Sequence, residues 1–285
     1  MSKLLPPALR KLLKLPITAP LRFGFIRRRV AYELRPWFGE FEFEIPLTEN
    51  LACPIGQWDS AHSFSEIFVT NEYGSFLEEI PLPRRWLDLG CHAGYFTLYL
   101  AWKNALAGRA KDWSALMIDA DPRMAPLASW MLRRNRIDGN AMFKLGMIGE
   151  GEGEREFALR SGMGSSSDLA GAPAVCRVPC LTAGEIAKAF PPPYDLIKID
   201  IEGAEYDFAR SYPDLCREAG CLLVEWHSQD RGGKREPELR ELCARNGFDY
   251  VKEIRGKREI CVDGAWHSSG VQLYRRHQAH ETARR

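Results

Sequence analysis

The stretch Trp86-Leu-Asp-Leu-Gly-Cys-His-Ala-Gly-Tyr-Phe96 decides the fold class of this chain. It begins as an apolar strand that contains one acid, Asp88, and continues through glycines at positions 90 and 94. A helix is predicted to open at about Tyr95. A strand, a glycine turn and a helix in this order direct backbone N–H groups at a ligand. The stretch therefore predicts a cofactor-binding loop at the carboxyl end of a strand.

The acid before the glycines separates the candidate cofactors of this loop. A dinucleotide-binding loop has the spacing Gly-x-Gly-x-x-Gly, whereas this loop has only Gly90 and Gly94. A carboxylate at Asp88 would repel a diphosphate, so a zwitterionic or cationic ligand is favoured. S-adenosylmethionine fits, because its ammonium can meet the acid and its carboxylate can meet the N–H groups. The predicted cofactor ligands of this region are Asp88, Gly90, Cys91, His92, Gly94 and Tyr95, with His92 expected to shape the loop.

A second acid is predicted at the end of the next strand. The apolar run 115–118 leads into Asp119-Ala120-Asp121-Pro122, where proline suits the first position of a helix. An acid at this strand end is placed to bind the ribose hydroxyls of a nucleoside. We therefore assign Asp119 and Ala120 to the cofactor and Asp121 to the helix cap. Capping without any ribose contact is the alternative interpretation.

The stretch Asp195-Leu-Ile-Lys-Ile-Asp-Ile-Glu-Gly-Ala-Glu205 places three acids at another strand end. Crowded carboxylates are unfavourable without a counter-ion, so Asp200 and Glu202 are predicted to act on the cofactor or the substrate. We assign Asp200 to the cofactor as well as to catalysis. The plainest interpretation of Glu205 is a solvated surface acid.

The following predicted strand ends in Val224-Glu-Trp-His227. Neighbouring strand ends of a parallel sheet lie within side-chain reach, so Glu225 and His227 are expected near Asp200 and Glu202. His227 is the predicted general base, because an unperturbed imidazole titrates near neutral pH. The four side chains could instead hold Mg²⁺ or another divalent ion. The remaining interpretation of His227 is a hydrogen-bonded loop histidine.

Strands and helices alternate in the predicted structure from residue 86 onward. This alternation indicates a doubly wound α/β fold with a mostly parallel sheet. We expect a helix over 62–80, a strand over 142–147 and final strands near 249–254, 259–262 and 271–275. The predicted organisation is an N-terminal extension over 1–50, one domain over 51–276 and a tail over 277–285.

Composition excludes several classes of protein. A net charge of +1 gives no global attraction for nucleic acid, and the eight cysteines show no zinc spacing, which suits reduced thiols in a cytoplasmic protein. The segment 1–35 is strongly basic, but its apolar runs are too short for a signal peptide or a membrane span. It is expected either to contact anionic membrane or to be a solvated extension. The polar stretch 161–168 is expected to be a lid or a passive linker.

These motifs resemble the FkbM-like family of S-adenosylmethionine-dependent methyltransferases. The family motif Ile-Lys-Ile-Asp-x-Glu-Gly-Ala-Glu is matched without a break over 197–205. The family loop Asp-x-Gly-Ala-Asn-x-Gly is matched at Asp88, Gly90 and Gly94 but has Cys91-His92 in place of Ala-Asn. Lesser similarities include Glu72-Tyr73 upstream.

The resemblance covers roughly residues 60 to 255. It implies the Rossmann-like class I methyltransferase fold, with a mostly parallel seven-stranded sheet, and O-methylation of a glycan or natural-product hydroxyl. One alternative is N-methylation of a peptide amide, and another is a non-catalytic cofactor-binding partner of a biosynthetic assembly. The acceptor is thus expected to be a small molecule, a glycan or a peptide.

Overall fold

The computed structural model describes residues 43–56, 58–160, 172–262 and 265–277. The basic segment 1–35, the expected lid over 161–168 and the tail over 278–285 lie outside the described residues. Expectations about these segments therefore stay predictions.

The described residues form eleven strands and seven α-helices. The strands are β1 (Phe43–Pro46), β2 (Ala52–Ile55), β3 (Arg85–Leu89), β4 (Ser114–Asp119), β5 (Ala141–Leu145), β6 (Gly153–Leu159), β7 (Ala174–Cys180), β8 (Tyr194–Ile199), β9 (Ala219–Ser228), β10 (Phe248–Val262) and β11 (Ala265–Arg276). The helices are α1 (Trp58–Phe64), α2 (Tyr95–Leu106), α3 (Met124–Asn135), α4 (Ala183–Ala189), α5 (Glu205–Ser211), α6 (Pro213–Arg217) and α7 (Glu236–Arg245).

A seven-stranded sheet in the order β10-β11-β9-β8-β3-β4-β5 forms the centre of the fold. Five neighbouring strands of this sheet are parallel, namely β9, β8, β3, β4 and β5. β11 is antiparallel to both β9 and β10. The predicted α/β class and the mostly parallel sheet are confirmed. Along the chain, β4 and β5 are added on one side of β3, and β9 is added on the opposite side of β8. The switch point therefore lies between β3 and β8. Open α/β sheets bind ligands at this point.

Side chains of the central strands alternate between the two faces of the sheet. In β3, Trp86 belongs to a core cluster with helices α2 and α3, whereas Leu87 and Leu89 belong to a second cluster with helices α4 to α7. Strands covered by helices on both faces are apolar on both faces, as the sequence of β3 and β8 indicates. Both faces are thus closed, and the exposed carboxyl ends of the strands are where a cavity can open.

The observed elements differ from the prediction in four places. The expected helix over 62–80 is divided into the end of α1, a π-helical turn (Ser65–Val69) and a 3₁₀ turn (Gly74–Glu78). Asn71 lies between the two turns with a φ of 52°, a left-handed conformation that interrupts a helix. The strands expected at 249–254 and 259–262 are one strand, β10, with register shifts in place of a break.

The other two differences concern short strands. β5 ends at Leu145 and not at residue 147, because Met147 instead forms a parallel bridge to Cys180. β7 was not predicted, because most of its residues are solvent-exposed and it contains a proline, Pro179. It pairs with β6 in a separate two-stranded sheet. β1 and β2 also pair with each other, across the boundary proposed at residue 50.

Candidate active site

The glycine loop packs tightly against the end of β8. A Cβ atom at Gly90 would lie 1.6 Å from the carbonyl oxygen of Asp200, so this position requires glycine. Gly90 and Gly94 have φ angles of 72° and 83°, and His92 has a φ of 49°. Such left-handed conformations are ordinary for glycine and uncommon for other residues. The loop and the end of β8 therefore form one continuous wall.

Backbone N–H groups of the loop are used within the protein. Gly90 and Cys91 donate to the carbonyl of Ile118 at 2.9 and 3.1 Å, and His92 donates to Oδ2 of Asp119 at 2.7 Å. These three N–H groups are therefore not free to bind a ligand carboxylate. They instead fix the loop to the end of β4.

Asp119 lies at the end of β4 and lines the cavity, as does Ala120. Its Oδ1 accepts the N–H of Asp121 at 2.8 Å, and its Oδ2 accepts the N–H of His92. Burial raises the pKa of Asp119 to about 6. Asp121 in turn accepts the N–H of Arg123 at 2.9 Å, so it stabilises the turn that leads into α3. The residue next to α3 is Arg123, and no side chain caps the helix there, so Asp121 does not cap α3 as predicted.

A cavity opens at the switch point, above the carboxyl ends of β3, β4, β8 and β9. On one side it has an apolar wall that leads to Asp119, and on the other side it has the acids at the end of β8. Tyr95, Cys91 and His92 line it as well. The residues of the apolar wall are Ile118, Met124, Met147, Ile148 and Phe157. An apolar wall next to a carboxylate suits the base and the ribose of a nucleoside.

Among the described residues, the cavity wall does not include Asp88. The Asp88 side chain is fully buried; its Oδ2 accepts from the Thr97 hydroxyl at 2.8 Å, and its Oδ1 lies 3.6 Å from Nζ of Lys198. Lys198 also donates to the carbonyl of Gly90 at 2.8 Å and pairs with Oδ2 of Asp200 at 3.0 Å. Asp88 thus helps to hold a buried lysine beneath the loop. Direct contact between Asp88 and a cofactor ammonium stays a prediction.

Opposing effects act on the pKa of Lys198. Burial by itself would lower it, but the carboxylates of Asp200 and Asp88 outweigh burial and raise it. Lys198 in turn lowers the pKa of Asp200, against the effect of burial on that carboxyl. Both side chains are therefore charged at neutral pH.

Glu202 follows Asp200 at the cavity wall, in a turn that Glu205 holds in place. Glu202 has a φ of 53°, and its side chain is 37% exposed. The carboxylate of Glu205 accepts the N–H groups of Ile201 and Gly203 at 3.2 and 3.1 Å. Because the Glu205 side chain has no exposed surface, its interpretation as a solvated acid is wrong. Glu205 thus supplies the acceptor for two N–H groups of this turn.

His227 lies near the end of β9 among three glutamates. Its Nδ1 is 2.9 Å from Oε1 of Glu205, and its Nε2 is 3.9 Å from both Glu202 and Glu225. Burial would lower the pKa of His227, but Glu202 and Glu205 outweigh this effect and raise the pKa well above its ordinary value. An imidazolium cannot accept a proton. These surroundings therefore do not support the predicted role of His227 as general base.

Glu225 is bound on both carboxylate oxygens. The Tyr73 hydroxyl donates to Oε2 at 2.6 Å, and Arg255 donates to Oε1. Arg255 also pairs with Glu72, whose side chain is only 5% exposed. Burial is the main cause that raises the pKa of Glu225 to about 7, and Asp200 adds to this effect.

Sequence reasoning missed the Arg255 network. Arg255 lies within β10, where no local pattern distinguishes it from the surface charges beside it. The pair Glu72-Tyr73 carried a weak signal, because both residues belong to the lesser similarities with the family. The register of the sheet, in which Val271 pairs with both Arg255 and Glu225, brings Arg255 to Glu225. Glu72 and Tyr73 reach them from the turn segment before β3.

Of the four candidate metal ligands, three form a compact group. Asp200, Glu202 and His227 each offer a ligand atom, and these atoms all lie within 4.8 Å of one another. The register of β8 and β9, in which Ile199 pairs with Val224, brings the two strand ends together as predicted. Glu225 lies beside the group but is occupied by Tyr73 and Arg255.

No family model and no curated protein matches this chain. The solved structures similar to it include the N-terminal domain of EvdMO1 with S-adenosylhomocysteine bound, at 15% identity and a TM-score of 0.46, covering 88% of this chain and 95% of that chain. A putative O-methyltransferase from Klebsiella pneumoniae has 15% identity and a TM-score of 0.41, with 73% and 80% covered. A putative tRNA methyltransferase from Streptococcus pneumoniae has 14% identity and a TM-score of 0.35, and the match covers 68% of this chain and 64% of that chain.

These similarities are too distant to assign an acceptor or a catalytic residue. Separately, none of the helices in the described part of the chain is long and apolar enough to cross a membrane.

Proposed function

We propose that the protein is an S-adenosylmethionine-dependent methyltransferase that acts on a hydroxyl oxygen. The observation that carries this proposal is one cavity at the switch point of the sheet. One end of this cavity suits a nucleoside, and the other end has a cluster of acids. The family motif over 197–205 lies at the acidic end. An acceptor that enters there would meet a methyl group held between the two ends.

The nucleoside end supplies the contacts that the cofactor needs. Asp119 would accept hydrogen bonds from the ribose hydroxyls, since each of its oxygens accepts only one N–H from the protein. The apolar wall that includes Met147 and Ile148 would cover the adenine. Lys198 and Asp200 would lie near the sulfonium end, where the charge of Asp200 suits a cation.

When bound, S-adenosylmethionine supplies an activated methyl group, which forms a bond to the acceptor oxygen while the carbon–sulfur electron pair stays on sulfur. The acceptor hydroxyl must lose its proton, which passes to solvent water or to a carboxylate of the cavity wall. Alignment of the two reactants is the main task of the protein, with effective molarities of about 10⁵–10⁸ M in favourable cases.

The charge of the cavity restricts the acceptor. Glu66, Glu72 and Glu202 line it in addition to Asp119 and Asp200. A phosphate or a carboxylate close to the reacting atom would be repelled, which argues against a nucleic-acid acceptor. We infer a neutral, polyhydroxylated acceptor such as a glycan or a natural product. N-methylation of a peptide amide is the alternative that product analysis would reveal.

The test is transfer of a labelled methyl group from S-adenosylmethionine to a panel of glycans, glycosylated natural products and peptides. We expect label in a hydroxylated compound, with the new methyl on oxygen by NMR. Asp119→Asn should reduce transfer at low cofactor concentration, whereas Asp138→Asn, an exposed acid just beyond α3, should not. Label found only on nitrogen would contradict the proposed acceptor, and no label with any acceptor class would argue for a binding protein without turnover.

A further inference from the structure

We propose that Asp200, Glu202 and His227 bind a divalent first-row metal ion that holds the acceptor hydroxyl. This inference rests on the proposed function, because it concerns the acidic end of the same cavity. Asp200 and Glu202 both line that end. Their carboxylates and the imidazole approach from the ends of two adjacent strands, β8 and β9.

The distances within the group suit one shared ion. Nε2 of His227 lies 3.9 Å from Oε2 of Glu202, and the three ligand atoms lie within 4.8 Å of one another. Ligands about 2.1 Å from an octahedral ion are about 3.0 to 4.2 Å apart. The 3.9 Å between Nε2 of His227 and Oε2 of Glu202 lies within this range.

Glu205, which is outside the group of three, orients the imidazole as a metal ligand requires. Its Oε1 lies 2.9 Å from Nδ1 of His227, which leaves Nε2 directed at Glu202. Histidines that bind metals almost always donate their other ring N–H to such a carboxylate. The second oxygen of Glu205, Oε2, is buried and has no partner among the described residues. A buried carboxylate with an unpaired oxygen is costly without positive charge beside it. A metal ion on Nε2 of His227 would supply that charge in place of the imidazole proton.

The basic side chains nearby do not neutralise these acids. Lys198 pairs with Asp200 but also with Asp88. Arg255 pairs with Glu225 but also with Glu72. Arg258 also pairs with Glu72, at 3.1 Å. Among the described residues, Glu202 and Glu205 form ion pairs with His227 alone. A divalent ion would add positive charge beside these two glutamates.

The donor set favours one kind of ion. An imidazole with two carboxylates suits manganese or iron better than Mg²⁺, which prefers oxygen ligands only. Glu225 is an unsuitable ligand, since Tyr73 and Arg255 occupy its two oxygens. An acceptor hydroxyl on such an ion has a lowered pKa, so its proton can pass to solvent water. No histidine base is then required.

Binding of Mn²⁺ to the full-length protein, freed of metal by chelator and dialysis, tests this inference. Free Mn²⁺ is followed by electron paramagnetic resonance during titration, and we expect one Mn²⁺ per chain. Glu202→Gln and His227→Gln should each abolish the site. Glu205→Gln should weaken it by about 10–100-fold, because it removes the charge that orients the imidazole. Asp207→Asn, which changes a half-exposed acid paired with Arg210, should bind Mn²⁺ like the parent.

Folding of each variant is checked by circular dichroism, and calorimetry measures S-adenosylmethionine binding in the same samples. A parent protein that binds S-adenosylmethionine but not Mn²⁺ would overturn this inference and leave the proposed function intact. Mn²⁺ binding that is unchanged in Glu202→Gln would overturn it as well. This variant is decisive if His227→Gln does not fold, because Glu202 lies at the open side of the cavity.

Discussion

The acids of this site have different roles, and the role of each acid depends on its burial and its contacts. Asp119 faces the cavity, whereas Asp88 and Glu205 are buried and hold other side chains. The sequence predicts acids at strand ends correctly, because apolar runs stop at them. It does not show which of them are buried, since that depends on register: Asp88 meets Lys198 only because the two residues pair across β3 and β8.

Binding of S-adenosylmethionine should depend on the ionisation of Asp119. The carboxylate form accepts hydrogen bonds from the ribose, and protonation below its pKa of about 6 removes one acceptor site. We therefore expect constant affinity above about pH 7 and roughly a tenfold loss for each pH unit below 6. Calorimetry between pH 5 and pH 8 would measure this.

The matched variant is Asp119→Asn. It should bind the cofactor about 10–100-fold more weakly at pH 7.5, because hydrogen bonds to a charged group contribute about 1.5–3 kcal/mol. Its affinity should no longer fall between pH 7 and pH 5. A pH dependence that persists in this variant would assign the titration to another group.

Lys198 should be essential for stability. Lys198→Met leaves Asp88 without its cation, and both side chains are at most 5% exposed. Removal of one partner from a buried ion pair costs about 3–5 kcal/mol. Urea unfolding of Lys198→Met, Asp88→Asn and the double variant would measure the coupling. If the double variant loses the sum of the two single losses, the pair is not coupled and the assigned role of Asp88 fails.

At the scale of elements, the central strands were predictable and the segment before them was not. The strands β3, β4 and β8 are mostly apolar, with an acid at or next to the carboxyl end, so their bounds agree with the prediction within about two residues. The turns over 65–78 have no such pattern, because they are fixed by contacts with β10 and β9. Contacts between distant segments cannot be derived from local periodicity.

Arg255 should hold the segment 65–78 against the sheet. Its guanidinium is 8% exposed and pairs with Glu72 in that segment and with Glu225 in β9. In Arg255→Met, we expect faster hydrogen exchange over 65–78 and unchanged exchange in β3 and β4.

Lys252→Met is the control for Arg255→Met. Lys252 lies in the same strand and pairs with Glu79 at 2.9 Å, but it is 38% exposed. Exposed ion pairs contribute little to stability, so exchange should hardly change. Equal effects of the two substitutions would show that burial of the Arg255 pairs has no special role.

At the scale of the whole molecule, charge is concentrated at the beginning of the sequence. Residues 1–35 are strongly basic although the net charge is only +1. If this segment binds anionic membrane, each Lys or Arg near the surface contributes about 1 kcal/mol. Full-length protein should then sediment with vesicles that contain phosphatidylserine, and a form without residues 1–35 should not. Cofactor affinity should be equal in both forms.

Salt and lipid composition provide the control for membrane binding. Sedimentation should decrease at 0.5 M NaCl and be absent with vesicles of phosphatidylcholine alone, because the attraction is electrostatic. Full-length protein that stays in solution with anionic vesicles at low salt would contradict the membrane contact. The segment 1–35 would then be interpreted as a solvated extension.

The central claim is that the cavity at the switch point holds S-adenosylmethionine, and calorimetric titration of the full-length protein with this cofactor tests it most directly. We predict one cofactor per chain at pH 7.5, with affinity reduced by Asp119→Asn and unchanged in Asp138→Asn, an exposed acid outside the cavity. Absence of binding by the folded parent protein, or equal affinity in Asp119→Asn and the parent, would contradict the claim.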